Sequence, residues 1–269
     1  GYYYLITAEG GTGSGHAVTV ARSKALLGPY EVDPLNPMLT SRDNPELPLQ
    51  CAGHGSLVET PEGEWYMAHL CTRPLEGEYA ILGRETAVQQ VHWNEEGWLR
   101  LTSGGNAPQL KVPAPKGTKV LKQVRTLEFE DDFNGPELKK NWNTLRIPRN
   151  ESWCSLAERP GWLRIRAGES VQSLFEHHIL AIRQTDISFR AETALEYEPN
   201  TYLQMAGLLL YLNEDNYLYA YISHEEGRGK VLRLMRCQRD EFTAEPVMIE
   251  LNAGETLRIA VEVQEVTGQ

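Results

Sequence analysis

The sequence lacks the features that mark a membrane protein or a disulfide-rich protein. Its longest apolar stretches, such as residues 205–212, are far shorter than the roughly 20 residues that cross a bilayer. Four cysteines are scattered over 269 residues without CxxC spacing, which argues against a zinc site and a disulfide framework. We therefore expect no membrane partner and a reducing, cytoplasmic location.

An excess of positive charge is also missing. The chain has 26 Lys and Arg residues against 37 Asp and Glu residues, a net charge of −11, and the basic residues are dispersed. A nucleic-acid-binding surface needs a basic stripe, so we expect no nucleic-acid partner. With 41% hydrophobic residues, the chain is long enough for two compact domains. Because it starts inside a strand-like run without Met or a signal sequence, we expect a piece of a longer protein.

Helical periodicity is weak, and short β-type runs separated by Gly and Pro turns recur along the whole chain, which predicts an all-β fold. Two segments, 56–68 and 91–100, combine an apolar strand, a polar glycine turn and an aromatic strand, as in the hairpins of propeller blades. The predicted strands are 2–7, 16–22, 55–60, 65–70, 87–93 and 98–101, then 127–133, 161–166, 187–194, 205–212, 217–223, 231–237 and 256–263.

The domain organisation follows from a change of composition. Residues 108–123 are rich in Pro, Gly and Lys and present no apolar face, which is typical of an interdomain linker. We therefore predict a first β domain at 1–107 and a second domain at 124–269. The second reads as an antiparallel β-sandwich, since most of its strands alternate apolar and polar residues.

Glu9 is the first candidate for chemistry, because it ends a strand and precedes a turn with almost no side chains, Gly10-Gly-Thr-Gly13. Such a turn lets a ligand approach closely. The plainer interpretation is a solvated glutamate at a strand end. A phosphate loop is a poor alternative, because the segment lacks the GK[ST] ending and a following helix.

His54 and Arg84 are two further candidates. His54 lies between Gly53 and Gly55, which suits the floor of a site packed against a ligand, although a lone histidine is as often structural. Arg84 could clamp a carboxylate or sugar hydroxyls with its planar guanidinium. A surface ion pair with Glu85 or a neighbour is its default interpretation.

Eight short segments, taken in their order along the chain, carry a resemblance to a known family. They are 7–13, 16–23, 28–30, 36–37, 40–43, 52–56, 64–66 and 82–86. This ordered set spans most of residues 1–101 and resembles the later blades of glycoside hydrolase family 43, in the β-xylosidase and α-L-arabinofuranosidase branch. The second domain is similar to the concanavalin-like β-sandwich appended to those β-xylosidases, starting near 129–133, and the resemblance implies that it is truncated at its C-terminus, with a late loop past Gln269.

The resemblance implies part of a five-bladed β-propeller and hydrolysis with inversion, by one acid and one base about 6.5–9.5 Å apart. Glu9 matches the family's general acid. An aspartate that helps the acid keep its proton, and the aspartate that acts as base, would both lie upstream of Gly1. His54, Arg84, Thr12 and His16 are the expected substrate-binding residues.

The implied partner is a xylo-oligosaccharide or an arabinoxylan-derived oligosaccharide, from which terminal xylose, and also arabinofuranose, is released. The upstream propeller segment would be needed for activity, and a homo-oligomer is left open. No cofactor is required, although His54 could lie beside a divalent cation such as calcium. The alternatives are a carbohydrate-binding fragment, which rests on the sandwich and its aromatic residues, and a chain that is inert by itself. The alternating tyrosines at 217–221 could form a sugar-stacking face, but one packed face of a strand is the plainer interpretation.

Overall fold

The computed structural model describes residues 1–75, 77, 79–119 and 128–264. The chain divides into two compact units, Gly1–Arg125 and Thr126–Gln269. Strands, turns and irregular segments make up the described residues, which contain no helix and hence none that could span a membrane.

The first unit consists of two four-stranded antiparallel sheets. In the first sheet β1 pairs with β2, and β3 and β4 both pair with the other edge of β2. The second sheet runs β5-β6-β7-β8 in chain order, as a meander. The strands are β1 (Tyr3–Glu9), β2 (Ala17–Ser23), β3 (Glu31–Val32), β4 (Leu39–Thr40), β5 (Gln50–Glu59), β6 (Trp65–Thr72), β7 (Glu85–Trp93) and β8 (Leu99–Leu101).

Both predicted hairpins of this unit are confirmed. The β5–β6 turn closes through the Thr60 N–H, which donates to the Glu64 carbonyl at 2.8 Å. The β7–β8 turn closes in the same way, from the Asn94 N–H to the Trp98 carbonyl at 2.9 Å. Each turn ends on a glycine at φ +78°, Gly63 and Gly97, a backbone angle that residues with a Cβ adopt rarely.

The core of the first unit lies between its two sheets. Val18 on β2 and Leu39 on β4 are fully buried against Met67 and Leu99 of the second sheet. Burying a side chain of this size contributes roughly 1.5–3 kcal/mol. The two sheets are also joined by a bidentate ion pair, in which the Arg100 guanidinium donates to the buried Asp33 carboxylate.

The segment after β8 follows the second sheet. The Gln109 N–H donates to the Gln89 side chain at 2.9 Å, the Tyr66 hydroxyl donates to the Pro113 carbonyl at 3.2 Å, and the Lys116 N–H donates to Glu64 at 2.7 Å. Part of the predicted linker therefore lies along the first unit. Its remaining residues, 120–123, fall outside the described residues, so the domain boundaries stay a prediction.

The second unit contains one four-stranded antiparallel sheet, β14-β15-β16-β17, and three two-stranded sheets, β13-β18, β9-β12 and β10-β11. Its strands are β9 (Trp142–Thr144), β10 (Cys154–Ser155), β11 (Arg164–Ile165), β12 (Leu180–Ile182), β13 (Phe189–Leu195), β14 (Ala206–Asn213), β15 (Asn216–Glu225), β16 (Gly229–Gln238), β17 (Glu241–Glu250) and β18 (Leu257–Val263).

Several features of this unit differ from the sequence prediction, which did not include the short strands β9, β10 and β12. No strand forms at 128–133, where Phe129 and Phe133 instead pack against Trp142. Strand β17 was not predicted, because Pro246 interrupts its pattern. The proline lies within a register shift of the β16–β17 pair, where its missing N–H is tolerated.

The tyrosines of β15 belong to the interior of the second unit. Tyr217 and Tyr221 are each 6% exposed and pack with Met235 and Cys237 in one buried cluster. Burial raises the pKa of Tyr217 to about 12. This face of β15 is therefore core, as the packed-face interpretation of the alternation requires, and not a platform for a sugar.

Candidate functional site

The glycine turn after β1 leaves Glu9 open to solvent. Glu9 pairs with Ala17 at the end of the β1–β2 ladder, and the exposed turn between them also carries Thr12. Gly10 has φ +73°, and a Cβ there would lie 1.9 Å from the Gly15 carbonyl oxygen. Only glycine fits that position. The Glu9 carboxylate makes no hydrogen bond or ion pair to another described residue, which leaves both oxygens accessible to a ligand.

His16 lies at the other end of this turn and is buried. Its side chain is 2% exposed, and its Nδ1 is 3.1 Å from the Cys51 carbonyl oxygen. Because a carbonyl only accepts hydrogen bonds, Nδ1 carries the proton in this contact. A Cβ on Gly53 would lie 2.4 Å from the His16 ring, so the imidazole packs directly against the Gly53 backbone.

His54 is presented by an irregular stretch of β5, residues 51–54, called the bulge below. The register of the β5–β6 pair shifts between Gln50 and Gly53 and again between Gly53 and Ser56. Two non-glycine residues of the bulge, Cys51 and His54, have φ values of +52° and +58°. Such conformations cost of order 1–3 kcal/mol each and are concentrated at functional sites. The His54 side chain is exposed.

Arg84 lies at the same end of the second sheet as the bulge. Leu70 on β6 pairs with Gly53 on one side and with Thr86 on the other, so the three strands are aligned at this level. Arg84 comes immediately before β7 and is exposed.

The structure brings three of the predicted site residues into one neighbourhood. Glu9 pairs with Ala17, the next residue along from His16, and the His16 ring contacts Gly53, which precedes His54. Strand β1 packs beside β5 in the same unit. Glu9 and His54 are therefore exposed at neighbouring strand positions, with the buried His16 between their backbones.

Two buried hydroxyls, of Thr40 and Ser41, hold this neighbourhood together, and neither residue was among the predicted site residues. Thr40 donates its hydroxyl to the His16 carbonyl at 2.8 Å, and the Ala52 N–H donates to the Ser41 hydroxyl at 3.1 Å. Both residues are at most 2% exposed. Their place in the family-like segment 40–43 was the only signal in the sequence that could have indicated them.

Other reactive side chains near the bulge are structural. Burial raises the pKa of the Cys71 thiol to about 11, so it stays protonated and is a poor nucleophile at neutral pH. Burial lowers the pKa of His69, whose Nδ1 contacts the Leu70 carbonyl at 3.0 Å and whose Nε2 is 3.3 Å from the Gln89 amide nitrogen. His69 is therefore a neutral part of the core.

The described residues do not fit a calcium site. Calcium takes six to eight oxygen ligands, whereas His54 offers a single nitrogen. No group of three or more His, Cys, Asp or Glu side chains suited to a metal occurs among the residues with a described placement.

Comparison with known proteins accounts for both units. A family model described as glycosyl hydrolases family 43 matches residues 1–99, and one described as the beta xylosidase C-terminal concanavalin A-like domain matches residues 130–269. The chain belongs to glycoside hydrolase family 43. The sheets of the first unit are thus blades of a partial five-bladed propeller, and the second unit is the concanavalin-like sandwich of this family, as predicted.

Individual family 43 relatives agree with this assignment. A beta-xylosidase of Bacillus subtilis (strain 168) is 41% identical over 90% of this chain and 46% of its own length. A xylosidase/arabinosidase 43B of Humicola insolens is 41% identical over 86% of this chain and 42% of its own length. The crystal structure of a xylan beta-1,4-xylosidase from Bacillus halodurans C-125 superposes with a TM-score of 0.91 at 46% identity, covering 98% of this chain and 51% of that one. The chain spans about half the length of these relatives.

Proposed function

We propose that this chain contributes Glu9, as the general acid, to an inverting glycosidase of family 43. The enzyme would release terminal xylose, and also arabinofuranose, from xylo-oligosaccharides. The observation that carries the proposal is the position of Glu9, a carboxylate on a glycine turn, next to a strained bulge that exposes His54. The names of the relatives, beta-xylosidase and xylosidase/arabinosidase, support the choice of sugar.

The general acid would donate its proton to the glycosidic oxygen as the bond breaks, while a carboxylate base activates water on the opposite face of the sugar. We propose that the base lies upstream of Gly1, so that this chain alone does not hydrolyse xylosides. His54, Thr12 and Arg84 are exposed and would contact sugar hydroxyls.

A cytoplasmic location is proposed as well, with the four free cysteines as its support.

The acid role is tested with Glu9→Gln in the full-length protein that contains this chain. General acid catalysis is worth about 10²–10⁴-fold. We expect kcat for xylobiose, whose leaving group is a poor one, to fall by that factor. A xyloside with an activated phenol as leaving group needs little protonation and is expected to lose much less. Equal losses on the two substrates would remove Glu9 from this role.

A matched control is available in the same unit. Glu59 is also an exposed glutamate at the end of a strand, but it lies at the end of β5 that is remote from the bulge. Glu59→Gln should leave both substrates unaffected. Parallel losses in Glu59→Gln and Glu9→Gln would show a general charge effect and not proton donation.

The alternative, a carbohydrate-binding fragment, has weaker support, because the tyrosines that suggested it pack in the core of the second unit. Calorimetry of the chain with xylobiose separates the two proposals. Saturable binding that survives Glu9→Gln and His54→Ala would favour a binding module in the second unit.

A further inference from the structure

We propose that His16 is a positioning residue that fixes the bulge and so sets where His54 points. The inference rests on the proposed function only for its effect on catalysis, since the geometry is a property of the first unit by itself. It differs from the role of substrate contact expected from the sequence, because the His16 side chain is 2% exposed and lies beneath the Gly53 backbone.

A hydrogen bond joins the His16 side chain to the bulge. The Nδ1–H donates to the Cys51 carbonyl, whose own residue has φ +52°. In a regular antiparallel ladder such a carbonyl would accept from the partner strand, but here the β5–β6 register shifts between Gln50 and Gly53. The imidazole thus supplies a partner for a carbonyl that the bulge has turned out of the ladder.

The His16 ring also lies close to the Gly53 backbone. Cδ2, Cγ and Nε2 of His16 would lie 2.4–2.6 Å from a Cβ on residue 53, so the ring fills the place that a side chain would take. Gly53 precedes His54, which has φ +58°. Moving the ring would free the Gly53 backbone, and with it the peptide group that leads into His54.

Backbone hydrogen bonds hold His16 itself in place. Its N–H donates to the Gly13 carbonyl at 3.0 Å, its carbonyl accepts from the Thr40 hydroxyl at 2.8 Å, and the next residue, Ala17, pairs with Glu9. One residue therefore joins the Glu9 turn, through its backbone, to the His54 bulge, through its side chain. A change at residue 16 would alter the spacing of the two segments.

The test compares two variants of residue 16. His16→Leu keeps much of the volume and removes the donor, whereas His16→Asn places an amide N–H near the position of Nδ1. In ¹⁵N and ¹³C spectra of the chain, the signals of 51–54 and of the His54 ring should shift in His16→Leu and return towards their original positions in His16→Asn. In the full-length enzyme, His16→Leu should lower kcat/KM about 10- to 100-fold, as small misplacements do, with partial recovery in His16→Asn.

A second pair of variants approaches the same contact from the other side. Gly53→Ala should displace the bulge because its Cβ meets the ring, and the shorter side chain of His16→Asn should relieve that damage in the double variant. Gly13→Ala is the control, since a Cβ at residue 13 meets nothing within 4 Å. Its spectra should change only in the turn.

Three outcomes would overturn the inference. They are unchanged 51–54 and His54 signals in His16→Leu, no recovery in His16→Asn, and additive effects of Gly53→Ala and His16→Asn. A full-length enzyme that does not hydrolyse xylosides would overturn the proposed function and leave the spectroscopic result to decide on His16.

Discussion

The two units bury their centres to different extents. Among the described residues, ten buried residues of the first unit form one cluster, whereas the corresponding cluster of the second unit contains four. The described strands of the first unit form two four-stranded sheets, and those of the second form one such sheet and three sheets of two strands. The two sheets of the first unit therefore share one large core, while the corresponding core of the second unit is smaller.

The largest difference in the free energy of unfolding is expected when one ion pair in each unit is broken. Asp33 is buried and paired with Arg100 in the first unit, whereas the pair of Arg228 and Glu250 in the second unit is exposed on both sides. Asp33→Ala leaves an unpaired, mostly buried guanidinium and should cost about 3–5 kcal/mol. Glu250→Ala should change the free energy of unfolding little, because both partners of its ion pair are exposed.

Urea unfolding of the chain, with hydrogen exchange of β2 and β15 to report on each unit, measures both effects. A large loss in the second unit from Glu250→Ala, or none in the first from Asp33→Ala, would reverse the comparison.

A smaller effect is expected for two methionines of equal size. Met67 is 0% exposed in the core of the first unit, and Met235 is 5% exposed in the core of the second. Truncation of a buried methionine to alanine costs about 2–5 kcal/mol, depending on the cavity that remains. We expect the loss of stability to lie near the upper end of this range for Met67→Ala and near the lower end for Met235→Ala. Equal losses in the same unfolding assay would mean that the two cores are equally tight.

The smallest expected effect is a dependence on pH shared by the two units. His69 and His177 are each 1% exposed, and burial is the main cause that lowers the pKa of both. A histidine with a folded pKa below its unfolded value of about 6.5 takes up its proton more readily when unfolded. Its contribution to stability is therefore complete above pH 6.5 and is lost as the pH falls towards the folded pKa.

His69→Gln should reduce the loss of stability at low pH in the first unit only. His177→Gln should reduce it in the second unit only. Hydrogen exchange at pH 7.5 and 5.5, corrected for the intrinsic rates, gives the two slopes. An unchanged slope in the substituted unit would assign the acid sensitivity to other groups.

Much of the strand pattern could be predicted from the sequence, because turns with Gly63 and Gly97 have a local cause. The start of β5 could not. Gly53-His-Gly55 suggested the beginning of a strand, whereas the structure has a bulged strand that already starts at Gln50. The positive φ values at Cys51 and His54 accompany contacts with distant residues, His16 beside Gly53 and Met67 beside Gly55, that the local sequence pattern does not reveal.

In the candidate site, too, some features could be predicted from the local sequence and others could not. The exposed position of Glu9 follows from the glycines after it, which the sequence displays directly. The burial of His16 does not, because it depends on which backbone segment packs above the ring. Likewise, the expected strand at 127–133 does not form in its described part, where Asp131 accepts a hydrogen bond from the Trp142 indole at 2.8 Å, a contact between residues eleven positions apart that the local pattern does not reveal.

The last strand of the four-stranded sheet, β17, has a consequence for behaviour at high concentration. Among the described strands, none pairs with its outer edge, whose N–H and C=O groups another molecule could bind, and Phe242, Val247 and Ile249 are exposed on this strand. Pro246 supplies no N–H, and the irregular pairing around it breaks the even spacing that a fibril would copy. Replacing Pro246 with a residue that has an N–H would make this edge more regular, and we expect the chain then to aggregate more readily.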